Sequence, residues 1–320
     1  MSILAPTHIT LSVAQTPASV SPTMDTPKDP PLSDDDLPPG YRWIEGRAFA
    51  SENPIYVMPM DSDELDRLNE MQHTILNFKA PVEEDLKCGI SVLDVGCGTG
   101  AWSISMASLY PSSTFTGTDL VDAFLDSLGS ITPPLNLTFQ VVDTLKGLPF
   151  PDASFDYVVQ RFGALSFSEL QLPGVIRELA RVVKPGGWIE FVDTDASPHG
   201  GPLLTELWSK VNLMLTMRDI NATKIQCLHE DLFELGFEQI TYNQVLLPIG
   251  WGPSEVGSGT ARNLTRAHDS LKPQMTLVLG IGNSEFDRMA EDAEEESKES
   301  KAYWDIYYTF GRKPEISNVE

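Results

Sequence analysis

Ten residues, Ser91 to Gly100 (SVLDVGCGTG), constrain the fold of this chain more than any other stretch. Ser91 to Val95 is short, apolar and β-branched, the pattern of a buried strand, and it carries one carboxylate, Asp94. Gly96, Gly98 and Gly100 follow; lacking a Cβ, they accept positive φ and let a ligand lie directly against the backbone. The next stretch, AWSISMASLY from Ala101 to Tyr110, has helical apolar spacing, so the glycines occupy a strand-to-helix turn whose free N–H groups point at a ligand. A cofactor site is the reading that follows.

Two cofactor classes could use such a turn. Gly96, Gly98 and Ala101 also satisfy the dinucleotide fingerprint G-x-G-x-x-[G/A]. A pyrophosphate, however, wants N–H groups and no carboxylate, whereas Asp94 stands two residues before the first glycine, where an anion is repelled and an ammonium favoured. That charge selects a cationic ligand. On these residues the stretch resembles motif I of the class I S-adenosylmethionine-dependent methyltransferases, whose strand carries an acidic residue before GxGxG.

Charge and cysteine usage narrow the partners. The 320 residues carry a net charge of -24, so the surface repels phosphate backbones and anionic membranes, and no basic patch offsets it. A small-molecule substrate is expected, with protein partners reached through acidic segments as the alternative, and no nucleic acid or membrane. Cys88, Cys97 and Cys227 form no C-x-x-C pair, which predicts a reducing compartment and no metal site. With no secretory signal or span-length apolar run, the chain reads as cytoplasmic, or nuclear if it regulates. The sequons at Asn136, Asn221 and Asn263 then read as chance matches.

Taken in order, residues 1–38 are rich in Pro, Ser, Thr and Asp and read as a disordered tail. A methyltransferase domain is expected over 39–314, with a short C-terminal tail, 315–320. Tyr41 to Met60 reads as an irregular arm. From Asp61 a helix is expected with Leu65, Leu68, Met71, Ile75 and Phe78 on one face. After the glycine turn, Thr114 to Thr118 reads as a second strand ending at Asp119, nineteen residues beyond Gly100, the distance at which a carboxylate reaches ribose hydroxyls. Leu137 to Val142 is a third strand and Tyr157 to Arg161 a fourth. LPGVIRELARVV is a helix stopped by Lys184-Pro185-Gly186-Gly187, and Trp188 to Asp193 is a fifth strand. Helices over Leu203–Met217 and Thr223–Leu235 precede two strand-like runs, FEQITYNQVLLPIG and AYWDIYYTFGRKP. Residues 251–300 lie between those runs as an insertion, glycine-rich and mobile at its start and ending in an acidic helix with a solvated face.

The passages LPFPDASFD and ELARVVKPGGWIEF also resemble the methyltransferase family, so that four motifs fall in the family's order between Ser91 and Asp193. The resemblance implies an α/β three-layer sandwich, the Rossmann-like methyltransferase fold, with a seven-stranded mostly parallel sheet whose last strand is antiparallel. It implies S-adenosyl-L-methionine as cofactor, a cofactor core over 90–193, and contacts from Asp94, Gly96, Cys97, Gly98 and Gly100 of the loop. Asp119 and Leu120 would meet the ribose, Asp143 and the Thr144 amide the adenine, and Gln160, with Arg161 and Phe162, the methionine part. YVMPMDSDELDRLNEMQH and the ending AYWDIYYTFGRKP further resemble the fungal LaeA-like methyltransferases, in which a helical cap, here 55–80, closes over the cofactor. Glu64, Arg67, Gln72 and His73 then become contacts to its methionine end, with Arg67 a clamp for the carboxylate.

No catalytic residue stands out. His73, His199 and His268 are the candidate bases considered, and Trp102, Phe162, Phe167 and Trp251 are candidate pocket aromatics. Two functions stay open: transfer of a methyl group to a small-molecule O or N acceptor, such as one of secondary metabolism, or regulation of LaeA type through protein partners or protein methylation. A nucleotide oxidoreductase is a distant third.

Overall fold

The computed structural model describes residues 41–51, 55–72, 75, 77–124, 132–163 and 165–315. The expected tail over 1–38 and His73 lie outside these residues. The arm expected to be irregular begins as a two-stranded antiparallel hairpin, β1 (Tyr41–Ile44) and β2 (Arg47–Ala50). Its turn uses Glu45 and Gly46, both at positive φ. Helix α1 (Ser62–Gln72) follows and stops short of Ile75 and Phe78, which the apolar spacing had placed on it.

The central sheet contains β3 (Ser91–Val95), β4 (Thr114–Asp119), β5 (Leu137–Val141), β6 (Phe155–Arg161), β7 (Val183–Asp193), β8 (Glu238–Pro248) and β9 (Tyr303–Arg312). Their order across the sheet is β5, β4, β3, β6, β7, β9, β8. The first five pair in parallel, and β9, antiparallel to both β7 and β8, runs against the rest. This is the seven-stranded, mostly parallel sheet with an antiparallel last strand that the motifs implied. The Lys184 to Gly187 turn is absorbed into β7 as an irregularity between the Phe155↔Val183 and Tyr157↔Trp188 pairs.

Alternation along the buried strands sorts the helices onto two faces. Val92, Tyr157 and Val159 pack on one face with Trp102 and Met106 of α3 (Ala101–Leu109) and Leu86 of α2 (Glu83–Cys88). Leu93, Val95 and Val158 pack on the other with Val175, Ile176 and Leu179 of α4 (Leu172–Val182) and Leu232 of α6 (Leu228–Glu234). The helix expected over Thr223–Leu235 is thus a 3-10 turn, Ala222–Cys227, followed by α6.

A third core joins α5 (Pro202–Thr216), α7 (Ser254–Leu279) and α8 (Asn283–Ser300) to the ends of β8 and β9, through Leu207, Leu264, Phe286, Leu247 and Trp304. The glycine-rich start of the insertion is therefore helical, not loose. A Cβ on Gly257 would stand 2.1 Å from the Trp251 carbonyl oxygen, so glycine is needed there for close packing. The acidic helix buries Phe286, Ala290, Ala293 and Ser297 at helical spacing and turns its charges outward.

One buried carboxylate fixes how the chain enters the sheet. Glu190 of β7, fully buried, accepts from the Lys79 and Ala80 amides at 2.8 and 3.0 Å and from the Tyr157 hydroxyl at 2.8 Å. Burial raises its pKa, and these three donors oppose the rise. Glu190→Ala strands two backbone donors and a phenol in the core, and is expected to cost about 2–4 kcal/mol of unfolding free energy in urea titrations.

Candidate cofactor site and adjoining cavity

The parallel register brings the carboxyl ends of β3, β4 and β6 level, with Val95 opposite both Thr118 and Gln160. The glycine turn caps this edge. Gly96, Gly98 and Gly100 have φ of 72°, 54° and 74°. Nothing lies within 4 Å of where a Cβ on Gly96 or Gly98 would be, whereas one on Gly100 would stand 2.4 Å from the Phe139 ring. The first two glycines leave open space for a ligand, and the third accommodates packing. The Gly96 and Cys97 amides are spent on the Thr118 carbonyl.

Two carboxylates flank the turn. Asp119 accepts from the Gly98 amide at 2.8 Å and the Val121 amide at 3.2 Å, which leaves lone pairs over, since a carboxylate offers about four acceptor sites. Burial nevertheless raises its pKa, against those backbone hydrogen bonds, that of Leu120 included. Asp94 is buried beneath the turn and accepts from the Ser103 hydroxyl at 2.6 Å. Burial pushes its carboxyl up to about 6, while the Ser103 bond and the Arg161 charge pull the other way. The Cys97 thiol is raised further still by burial and by Asp94, so it stays protonated and is a poor nucleophile.

The remaining predicted residues spread along the same edge. Asp143 caps the 3-10 turn Thr144–Lys146, accepting from the Leu145 amide at 3.0 Å and pairing with Lys146 at 3.1 Å. Gln160 is buried and lines a small cavity of about 20 Å³ with Phe191 and Asp193. Arg161 donates to Gln72 of α1 at 2.8 and 3.1 Å and to the Asn77 carbonyl at 2.8 Å. Helix α1 is fastened to the turn as well, through a Thr99 to Asn69 hydrogen bond of 2.6 Å. Arg67 donates through Nε to fully buried Glu64 at 2.7 Å and through Nη1 to Asn263 at 3.2 Å. Its guanidinium is thus committed to α1 and α7.

Between α1, α5, α7 and the ends of β7 and β9 lies a cavity of about 100 Å³. Its wall is mostly apolar, with Met71, Phe162, Trp208, Leu247 and Trp304 among the lining residues. Phe162 and Ala196 on this wall hold φ of 54° and 53°, a conformation costly for non-glycine residues and concentrated at functional sites. Tyr56 also lines it; burial raises its phenol, with Glu64, Asp119 and Asp193 adding to the rise and Arg67 opposing it. Tyr56 therefore stands within electrostatic reach of both the turn and the cavity. Of the aromatic candidates only Phe162 reaches the wall; Trp102 and Trp251 donate to the Asn77 and Ala302 carbonyls instead.

Neither described candidate histidine lines the cavity. His268 lies behind Trp208: the indole N–H can only donate, so His268 Nε2 accepts at 3.2 Å and Nδ1 carries the proton toward Glu294, 2.8 Å away. Both nitrogens are spent. His199 stacks on Tyr303 and meets Asp305 at 2.9 Å. Sequence reasoning did not single out Tyr56, Asn69, Ser103 or Thr194. Among the described residues no three or more His, Cys, Asp or Glu side chains are placed to hold a metal ion, and no helix is long and apolar enough to cross a membrane.

Burying Asp94 has a stability cost with a definite pH dependence. Its folded pKa lies above the ordinary 3.8, so the folded chain binds the proton more tightly and stability falls as pH rises from about 4 to about 6, then levels. Asp94→Asn is expected to flatten this dependence and to raise the unfolding free energy near pH 7.5 by up to about 3 kcal/mol. Urea unfolding between pH 5 and 7.5 checks it.

Residues 92–187 match the family described as methyltransferase domain. The secondary metabolism regulator LaeA of Aspergillus flavus is 28% identical over 292 residues, which is 84% of this chain and 76% of that protein. A demethylmenaquinone methyltransferase of Listeria welshimeri is 36% identical over 146 residues, 42% of this chain and 58% of that enzyme. Among solved structures, the [4+2]-cyclase SpnF is 22% identical with a TM-score of 0.48, covering 79% of this chain and 82% of its own. The Haemonchus contortus phosphoethanolamine N-methyltransferase 2, solved with phosphomonomethylethanolamine and S-adenosylhomocysteine, is 18% identical with the same TM-score, covering 79% of this chain and 58% of its own. Motifs, fold and family match agree: residues 92–187 carry a methyltransferase domain of the class I, Rossmann-like, S-adenosyl-L-methionine-dependent kind, and the wider chain is similar to LaeA.

Proposed function

We propose that this chain transfers the methyl group of S-adenosyl-L-methionine to an apolar small molecule held in the cavity beside the glycine turn. The observation that carries the reading is the apolar cavity itself, which adjoins the carboxyl edge where Asp119 and the open faces of Gly96 and Gly98 lie. Ligands of open α/β sheets bind at that edge.

The residues fit the cofactor by charge and by space. Asp119 has acceptor capacity left for the two ribose hydroxyls, with Leu120 beside it. Asp143 and the Thr144 amide suit the adenine, and Gln160 the methionine portion. The buried charge of Asp94 favours a cation above it, and Cys97 and Gly100 complete the turn. Arg67 enters as part of the cavity wall, because its donors already serve Glu64 and Asn263. The cofactor supplies a methyl group activated by its sulfonium. The chain's part is to hold the acceptor atom in line and to exclude water, which the α1 cover fastened by Thr99–Asn69 and Arg161–Gln72 accomplishes. Asp193 is the one carboxylate among the described residues lining the cavity, and it is the group assigned to receive a proton from a hydroxyl acceptor.

A second reading has its own support. The similarity to LaeA extends over 84% of the chain, well beyond residues 92–187, so regulation through protein partners or protein methylation, in a fungal setting and with nuclear residence, is the alternative. Purified protein incubated with labelled cofactor and fractionated source-organism extract separates the two. Label in a small organic product supports the first reading, and label confined to protein supports the second. Calorimetry showing no binding of S-adenosyl-L-methionine or S-adenosylhomocysteine overturns the first reading and the protein-methylation form of the second.

Asp119→Ala is expected to weaken cofactor binding by about 1–3 kcal/mol, roughly 5- to 150-fold in Kd, through loss of two charge-assisted hydrogen bonds. Asp94→Asn should lower cofactor affinity while the unliganded protein gains stability, a divergence that a general folding defect would not produce.

A further inference from the structure

Strands β5 and β8 bound the seven-stranded sheet, and β8 is the longer edge. Among the described residues β9 is its one strand partner, and no backbone hydrogen bond ties Thr241–Leu247 to anything else. A strand so placed presents a row of unpaired N–H and C=O groups, a template for pairing with another chain, and proteins guard such edges with charges, prolines, bulges or a covering element. Here the guards stand at the two ends. An irregularity between Glu238 and Thr241, with Gln239 at a φ of 50°, marks one, and Pro248 marks the other. Between them the register with β9 runs unbroken.

The charge pattern of this stretch departs from that of the chain. The protein carries 46 acidic and 22 basic residues, yet no charged side chain occurs between Glu238 and Glu255. Tyr242, Gln244 and Leu246, the exposed side chains of the regular stretch, share one face of the strand by alternation and are neutral. The Tyr242 ring stacks on Tyr307 of β9 and stands 5.4 Å from the His229 ring of α6. Phe233, one turn beyond His229 and 75% exposed, adds apolar surface on that side of α6.

We infer that β8 is a self-association edge: a second copy of this chain pairs antiparallel with Thr241–Leu247 about a two-fold axis at Gln244, joining two seven-stranded sheets into one. Charge selects the occupant. Two molecules of net charge -24 repel wherever their acidic surfaces meet, so a copy is best received on a neutral edge. A basic partner would be drawn to carboxylates, and this stretch offers none between Glu238 and Glu255. The antiparallel two-fold also sends the two Glu238 side chains to opposite ends of the paired strands, whereas a parallel pairing would bring them together. On either side of the axis Tyr242 faces Leu246 of the other copy, an aromatic–aliphatic cross-strand pair, and the two Gln244 amides meet on the axis itself. The pairing does not depend on what the cavity holds.

Sedimentation equilibrium of the purified full-length chain tests this. A reversible dimer of twice the 35.3 kDa monomer is expected, and added salt should tighten it by screening the mutual repulsion. Gln244→Lys and Gln244→Glu each place like charges on the axis at an exposed position, and each should weaken the dimer about tenfold or more with far-UV circular dichroism unchanged. An equimolar mixture of the two variants should recover a dimer, because unlike charges then face each other, and a folding defect would not recover on mixing. A wild-type chain that stays monomeric at high micromolar concentration overturns the inference, and is the result expected if a segment of another protein occupies the edge. A dimer that loosens in salt, persists in both variants, or is lost in both and not recovered on mixing overturns it as well.

Discussion

Negative charge gathered at one edge of a parallel sheet is the constraint on which the rest of this structure depends. Strands that run the same way deliver their last residues to the same side, so Asp94, Asp119 and Asp193 all stand at the carboxyl edge. Among the described residues, the buried charged side chains are Glu64, Asp94, Glu190, Asp193, Asp195 and Asp305 against Arg67 and Arg161. Glu64 is matched by Arg67, and Glu190 by backbone donors, whereas Asp94 has the Ser103 hydroxyl and the charge of Arg161 nearby. The penalty of burial raises its pKa against the pull of those two partners. A sulfonium or ammonium placed over the turn would relieve it, which is why the charge that destabilises the unliganded fold is the charge that suits the cofactor.

The cover over this edge is held by polar contacts rather than by apolar burial alone. Helix α1 reaches the turn through Asn69, reaches β6 through Gln72, and reaches α7 through Arg67 and through Glu64, which accepts from Ser270 at 2.7 Å. Each contact is short in space and long in sequence, up to 206 residues between Glu64 and Ser270. Such pairs fix register between elements, since a buried partner left alone is costly. They also explain why Gln72 and Arg67, polar residues on a helix over the site, need not be ligand contacts themselves.

Much of the sheet was legible in the chain because buried parallel strands read as short β-branched runs between turn signals, and because the acids at their ends recur in order. The strands starting at Ser91, Thr114 and Leu137 begin where the pattern puts them. What was not legible depended on contacts between distant segments. Gly257 reads as a flexibility signal, yet it is a packing requirement against Trp251 inside α7. The hairpin at Tyr41 to Ala50 lacks a strong alternation and is revealed by its pairing. His268 looked like a candidate base until Trp208 and Glu294 took up both of its ring nitrogens.

The same division separates the two halves of the site. Residues that hold the glycine turn fall within 92–187, the stretch that matches the methyltransferase domain family, whereas most of the cavity wall does not. Phe162 and Leu165 belong to that stretch, but Tyr56, Met58, Arg67, Leu68 and Met71 precede it, and the wall from Asp193 to Ile306 follows it. A local motif can specify the turn, because strand, glycines and helix are consecutive. A cavity closed by α1, α5, α7 and β9 can be specified only by segments that meet after folding. The family match therefore speaks to how a methyl donor is held, and the acceptor has to be read from the wall that those distant segments build.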